Sequence, residues 1–174
     1  MEVRPLTRKD AESFRRLRIE RLIQDPRAFA ESLPEAESIS LEATASRLGD
    51  GTGDNYIIGA FAPDGELAGM AGFSRSPRLK SRHKATIWGV YVRPQYRGSG
   101  VARAIFSELL KRAQGLPGLE QITLTVSTDQ IAAHCLYLSL GFEQFGHERH
   151  ALIVDGKYVD EYHMVRWLRK PGPE

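Results

Sequence analysis

The sequence predicts an α/β fold of the α+β kind: a mixed, mostly antiparallel sheet of about seven strands with helices on both faces. Three observations predict it. Alternating apolar runs recur between turn signals, amphipathic runs of helical period separate some of them, and the resulting order is β α α β β β α β α β β. Hairpins join antiparallel strands and helical crossovers join parallel ones, and this order contains both. A chain of 174 residues is long enough for one domain, expected over residues 1–170 with a short tail at 171–174.

Val3–Leu6 reads as a short strand. Thr7, with Asp10 three residues on, caps a helix over Ala11–Gln24 that places Phe14, Leu17, Arg18 and Leu22 on related faces, and Pro26 lies past its end. Residues 25–39 (DPRAFAESLPEAESI) mix prolines, acids and isolated apolar residues, and predict a loop or short helices that shape a cleft. Ser40 caps a second helix to Leu48, closed by Gly49. Asn55–Ala62 and Glu66–Arg75 are strands about a Pro63-Asp64-Gly65 turn. The basic stretch 74–84 (SRSPRLKSRHK) reads as a solvated hairpin loop in preference to a binding patch. Ala85–Val92 is a strand ended by Pro94, and Gly100–Ala113 is a helix with Ala104, Ile105, Leu109 and Leu110 inward. Gln121–Val126 is a strand and Ile131–Leu140 a helix stopped by Gly141. Phe142–Val154 and Lys157–Leu168 form a last hairpin at Asp155-Gly156.

Composition narrows the function. Hydrophobic residues make 41% and charged residues 26%, which rules out wholesale disorder. A net charge of only +2 argues against a nucleic-acid partner. No apolar run is long enough for a membrane span and no signal-peptide core is present, so a cytoplasmic location is expected. The single cysteine, Cys135, excludes an internal disulfide and a cysteine-rich zinc site; it reads as a small buried apolar residue, and no metal site is expected.

The chemistry-bearing segment is Ile87–Arg103, IWGVYVRPQYRGSGVAR. A strand ends, a proline breaks it, and Arg97-Gly98-Ser99-Gly100 opens a helix. Glycines allow a sharp turn and close approach of a ligand, while the free amides of the first helical turn and the helix dipole favour an anion. No Lys follows Gly100, so the loop is not an NTP-hydrolysing P-loop. Arg103 stands where a dinucleotide fingerprint needs a small residue.

Gln95-Tyr96-Arg97-Gly98-Ser99-Gly100 resembles the Gln/Arg-x-x-Gly-x-Gly/Ala signature of the GCN5-related N-acetyltransferase (GNAT) family. The preceding Gly89-Val90-Tyr91-Val92-Arg93-Pro94 resembles the strand and proline before that signature. Ala133-His134-Cys135-Leu136-Tyr137-Leu138-Ser139-Leu140-Gly141-Phe142 resembles the family's second motif, and the element order is similar over nearly the whole chain. The resemblance implies a GNAT fold with a central splayed parallel pair of strands, Ala85–Val92 and Gln121–Val126. It implies acetyl-CoA as co-substrate, lying between those strands. Main-chain groups around Val90, Tyr91 and Val92 would pair with the pantetheine arm, and amides from Gly98, Ser99, Gly100, Val101, Ala102 and Arg103 would hold the pyrophosphate. Arg97 and Arg103 would add charge, and Gln130 stands where the family often has an Asn that contacts pantetheine.

The implied activity is direct transfer of an acetyl group to a primary amine, on a small molecule or on a protein or peptide. Tyr137 reads by pattern as a core aromatic; the resemblance makes it the catalytic acid beside the CoA sulfur. No carboxylate stands on the splayed strands, where Thr86 and Thr125 occupy the relevant positions. Glu31, His147, His150, Asp160, Glu161 and His163 remain as candidate bases. Glu31, Glu35 and Glu37 could attract a cationic amine, and Glu31, His150 and His163 are the candidate acceptor-site residues. A homodimer is compatible with this reading. The alternative is a non-catalytic acyl-CoA-binding module or sensor.

Overall fold

The structure, a computed structural model, describes residues 1–169; the expected tail at 171–174 lies outside the described residues. Each element sits within a residue or so of its sequence expectation. The strands are β1 (Glu2–Pro5), β2 (Asn55–Phe61), β3 (Leu67–Arg75), β4 (Lys84–Val92), β5 (Gln121–Ser127), β6 (Glu143–Val154) and β7 (Lys157–Trp167). The helices are α1 (Ala11–Gln24), α2 (Leu33–Ser38), α3 (Leu41–Leu48), α4 (Val101–Gln114) and α5 (Ile131–Ser139). The stretch 25–39 resolves into a 3-10 turn at Pro26–Ala28 followed by α2.

Local chemistry explains the helix starts. The Asp10 carboxylate accepts from the Thr7 amide at 2.8 Å and from the Thr7 hydroxyl at 3.1 Å, and Ser40 Oγ accepts from the Ala43 amide at 3.1 Å. The sheet runs β1-β2-β3-β4-β5-β7-β6, and β4–β5 is its parallel pair. That pair is in register at Lys84–Gln121, Ala85–Ile122 and Thr86–Thr123, and then the two strands part. Their divergence begins at a bulge. The β3–β4 register shifts between Met70–Tyr91 and Gly72–Trp88, and Gly89 lies there at φ +62°, a left-handed conformation that glycine adopts without cost.

Two apolar layers hold the sheet. On one face, Ile105, Phe106 and Leu109 of α4 pack on Ile58, Phe73, Ile87, Ile122 and Leu124. On the other, Phe14, Leu17 and Leu48 of α1 and α3 pack on Ile57, Met70 and Tyr91. Each such side chain, fully buried, contributes about 1.5–3 kcal/mol. Two basic side chains share the buried face of α1: Arg18 and Arg21 are 6% and 4% exposed. The basic 74–84 loop is no patch at its root, for Arg75 is buried and donates to Arg82 O at 2.6 Å and Pro117 O at 2.7 Å. Cys135 corrects its expectation. It faces solvent, because the inward face of α5 is taken by Ala133, Leu136, Tyr137 and Leu140.

Candidate active site

A cavity of about 400 Å³ opens where β4 and β5 part, at the start of α4. Gly98 (φ +74°) and Gly100 (φ +88°) make the turn, and a side chain at either would meet nothing within 4 Å. The first α4 bond runs from the Ala104 amide to Gly100 O at 3.0 Å, so the amides of Val101, Ala102 and Arg103 precede the helical ladder. Gly98, Gly100, Val101, Ala102 and Arg103 line this cavity with Val90, Tyr91, Val92, Arg97, Gln130 and Tyr137. A glycine turn with unsatisfied amides at a helix N-terminus fits a diphosphate, and the bulged edge of β4 fits an extended amide arm laid beside it.

Four of the residues anticipated for this cavity behave differently from a bare anion cradle. Ser99 turns its hydroxyl back to Tyr96 O at 2.7 Å and does not line the cavity. Arg97 donates to Val92 O at 2.9 Å and to Asp25 at 2.5 Å, so its charge is already answered by Asp25. Tyr91 offers only its backbone edge, since its ring is buried in the α1 layer. Arg103 is exposed and reaches Ser139 Oγ at 2.9 Å, tying α4 to α5.

A smaller cavity of about 80 Å³ continues between the splayed strands, lined by Trp88, Gly89, Val90, Thr125, Ser127, Gln130 and Tyr137 among others. Tyr137 is 5% exposed and packs against Phe106 and Phe142. Burial is the one cause acting on its phenol and pushes its pKa up, so it stays protonated and can donate. Thr86 and Thr125 carry no ionisable oxygen; Thr86 Oγ1 lies 3.2 Å from Thr123 Oγ1.

The third cavity, about 610 Å³, lies between the 26–33 segment and the β6–β7 hairpin. Glu31 and His150 line it with Leu22, Pro26, Leu33, Leu152 and Ile153. Phe29, which the sequence reading did not single out, lines all three cavities and is their junction. Glu31 is not free to show its charge: Arg18 Nε donates to it at 2.9 Å, Arg21 Nη2 at 2.7 Å, and Arg18 Nη2 as well. Glu35 is spent on the α2 cap, accepting from the Ser32 amide at 2.8 Å. His163 lies off this cavity, with Nε2 2.9 Å from Glu148. His147 Nε2 sits 3.1 Å from Asp160, whose carboxylate is held below its usual range chiefly by the His150 amide. Glu161, in register with Ser127, is raised by burial and by Glu148.

Besides Phe29, sequence reasoning missed Arg21, which is buried beside the site with Nε and Nη1 unpartnered. Its signal was present: it follows Arg18 by three residues, on the same helix face as Phe14 and Leu17. Among the described residues there is no group of three or more His, Cys, Asp or Glu side chains placed to hold a metal ion. Nor is any described helix long and apolar enough to cross a membrane.

Comparison with known proteins agrees with this geometry. Residues 17–142 match the model of the family described as "Acetyltransferase (GNAT) family". Over 120 residues the chain is 29% identical to the L-amino acid N-acetyltransferase AaaT of Escherichia coli, covering 69% of this chain and 72% of that protein. Over 112 residues it is 38% identical to the N-alpha-acetyltransferase RimI of Mycobacterium tuberculosis, covering 64% of this chain and 66% of that one. A GNAT superfamily phosphinothricin acetyltransferase from Sinorhizobium meliloti, solved in complex with AcCoA, superposes with a TM-score of 0.83 at 25% identity, over 96% of this chain and 88% of that one.

Proposed function

The chain belongs to the acetyltransferase (GNAT) family, and from that premise we propose which of its residues carry out the reaction and on what kind of acceptor. The chain transfers an acetyl group from acetyl-CoA to an amino group. Acetyl-CoA supplies a thioester: the amine nitrogen bonds to the acyl carbon, the C–S bond breaks, and the nitrogen gives up a proton.

The amides of Val101, Ala102 and Arg103, with the turn at Gly98 and Gly100, hold the pyrophosphate. The backbone edge of Val90 at the bulge, aided by Gln130 at the start of α5, positions the pantetheine arm. Tyr137 donates a hydrogen bond to the leaving sulfur. Its phenol stays protonated, and a thiol pKa of about 8.5 is already below that of a tyrosine, so the bond stabilises a thiolate without full proton transfer. The acceptor enters through the cavity between Phe29 and the β6–β7 hairpin, and is a small molecule or peptide carrying a primary amine. The cytoplasm, reducing enough for the exposed Cys135 thiol to persist, is the setting this reading assigns.

The observation that carries the reading is the convergence of the glycine turn and Tyr137 on one cavity between the splayed strands. The experiment is release of free CoA thiol from acetyl-CoA, with amino acids, polyamines and N-terminal peptides as acceptors. Turnover is expected with at least one class. Tight acetyl-CoA binding without turnover on any amine would instead favour the acyl-CoA sensor.

A further inference from the structure

Among the described residues, two that are not glycine have a positive φ. Asp155, at φ +50°, lies in the tight turn between β6 and β7, and the turn accounts for it. His150, at φ +54°, lies inside β6, where an extended backbone is the rule. A left-handed residue in a strand persists only where its surroundings over-determine it, and such residues concentrate at active sites and ligand clamps.

The ladder shows what holds His150. Between the pairs Glu148–Glu161 and Leu152–Val159, β6 advances four residues while β7 advances two. Residues 149–151 therefore leave the ladder as a bulge, and the His150 amide loses a backbone partner. Asp160 supplies another. Its Oδ1 accepts from the His150 amide at 2.8 Å, and its Oδ2 lies 3.1 Å from His147 Nε2. The His150 ring stacks on Tyr158, with centroids 3.9 Å apart and planes 13° from parallel. Residues 150–155, which begin at this bulge, form one wall of the 610 Å³ cavity. The side chain of Asp160 thus fixes where that wall starts.

Asp160 is tied on its other side as well. Its carbonyl accepts from the Thr128 amide at 2.9 Å, in the loop between β5 and α5. The same loop holds the opposite wall. Buried Ser127 donates its hydroxyl to Arg27 O at 2.7 Å, and Arg27 Nε donates to Asp129 at 2.8 Å. Arg27 belongs to the 3-10 turn that leads into Phe29 and the 26–33 wall. Gln130, which ends the loop, lines the acetyl-CoA cavity. Four consecutive residues, Ser127–Gln130, therefore join the hairpin, the 26–33 segment and the cofactor cavity.

We propose that Asp160 is a positioning residue for the acceptor: with Ser127 it fastens the two walls of the acceptor cavity to the Ser127–Gln130 loop, and so sets where the amine stands relative to the thioester. The proposal rests on the acetyltransferase reading above and deepens it. Asp160 lines none of the three cavities, and its carboxylate is given to His150 and His147, so it acts through the His150 backbone and not as a base. A misplacement of about 1 Å at a reacting centre costs as much as about a hundredfold in rate. Acetyl-CoA is held by the α4 amides and the β4 edge, which these bonds do not touch.

The test reads acceptor and cofactor separately. Thiol release from acetyl-CoA gives KM and kcat for whichever of alanine, spermidine and a tripeptide with a free N-terminus turns over, and calorimetric titration gives acetyl-CoA affinity. Asp160→Ala should raise the acceptor KM by about fivefold or more and leave acetyl-CoA affinity within about twofold of the unmodified protein. Asp160→Asn keeps an oxygen for the His150 amide and should hold the acceptor KM within about twofold. Ser127→Ala deletes one oxygen and releases the opposite wall. It should raise the acceptor KM in the same way, and it decides the matter if Asp160→Ala does not fold. An unchanged acceptor KM in folded Asp160→Ala, or in Ser127→Ala, would overturn the proposal. So would an equal weakening of acetyl-CoA, the mark of a merely structural role. A fall in kcat at unchanged KM, shared by the Ala and Asn variants, would make Asp160 a base and overturn it too. In each of these cases the acetyltransferase reading stands; no release with any acceptor would overturn both.

Discussion

Replacing Gly100 tests the anion cradle most directly, because the structure separates two effects there. Gly100 sits at φ +88° with nothing within 4 Å of a built side chain. Any L-residue at that φ is strained by about 1–2 kcal/mol, a cost that alanine and aspartate share. Domains of this size lose about 2–4 °C of Tm per kcal/mol, so both variants should stay folded with a modestly lower Tm. The charge separates them. A carboxylate about 5 Å from one phosphate charge is repelled by about 0.8 kcal/mol in water, and by about 3.3 kcal/mol at an effective dielectric of about 20. Two phosphate charges raise even the lower figure to about 1.7 kcal/mol, above the 1.4 kcal/mol that marks a factor of ten. Calorimetric titration with acetyl-CoA should show Gly100→Asp binding at least tenfold more weakly than the unmodified protein. The gap between the Asp and Ala variants should narrow in about 1 M salt, where the screening length falls to about 3 Å. An Asp variant that keeps its circular dichroism spectrum and binds acetyl-CoA normally would refute the placement of the pyrophosphate.

Tyr137→Phe should lower kcat by roughly 10–10⁴-fold while acetyl-CoA affinity hardly changes, since only an interaction made as the sulfur leaves is removed. A variant with unchanged kcat would return Tyr137 to a purely packing role with Phe106 and Phe142. Asp10 is held below the usual carboxylate range first by its hydrogen bonds to Arg4, against the opposing effect of burial. A lowered folded-state pKa contributes stability that is present above the unfolded value of about 3.9 and is lost as pH falls through the folded one. Denaturant titrations between pH 6 and pH 2 should show that loss, and Asp10→Asn should remove part of it; an unaltered pH slope would show that the Arg4 pairing contributes nothing. For transfer itself, kcat/KM should rise with pH until the pKa of the free amine, and the inflection should move when acceptors of different pKa are compared. An inflection that stays fixed, and disappears in His150→Ala or His163→Ala, would identify a histidine relay instead.

The fold was legible because its signals are local. Hairpin turns such as Asp155-Gly156, the Thr7–Asp10 and Ser40 caps, and the Gly98–Gly100 turn each announce themselves within a few residues. The cofactor half of the site was legible for the same reason: one strand end, one turn and one helix start carry most of it. The acceptor half is assembled from α1, the 26–33 segment, the β4 bulge and the β6–β7 hairpin, which are far apart in sequence. Nothing local says that Arg21 will lie against Gly89, or that Phe29 will join three cavities. Cys135 went astray by the same route, since its position on α5 is decided by which face meets α4 and β5. Arg18 and Arg21 also blur the amphipathic pattern of α1, because buried charge subtracts from the contrast on which such patterns depend.

The absence of a strand-borne carboxylate and the presence of surplus positive charge belong to one physical arrangement. An alkyl ammonium with a pKa near 10 is deprotonated in only about one molecule per thousand at pH 7. A carboxylate base would remove the proton but would also hold the amine in its charged form beforehand. Arg18, Arg21 and Arg47 act in the opposite sense: like charges disfavour the ammonium, and Glu31, the carboxylate nearest to them, is committed to Arg18 and Arg21. An amine bound within reach of that field would have its pKa held below its value in water, and its last proton could leave through solvent. In that arrangement kcat should level off at a lower pH than the free amine's pKa, and Arg47→Met should move that point upward. A kcat profile that levels off at the free amine's pKa in both proteins would show that the arginines do not tune the amine.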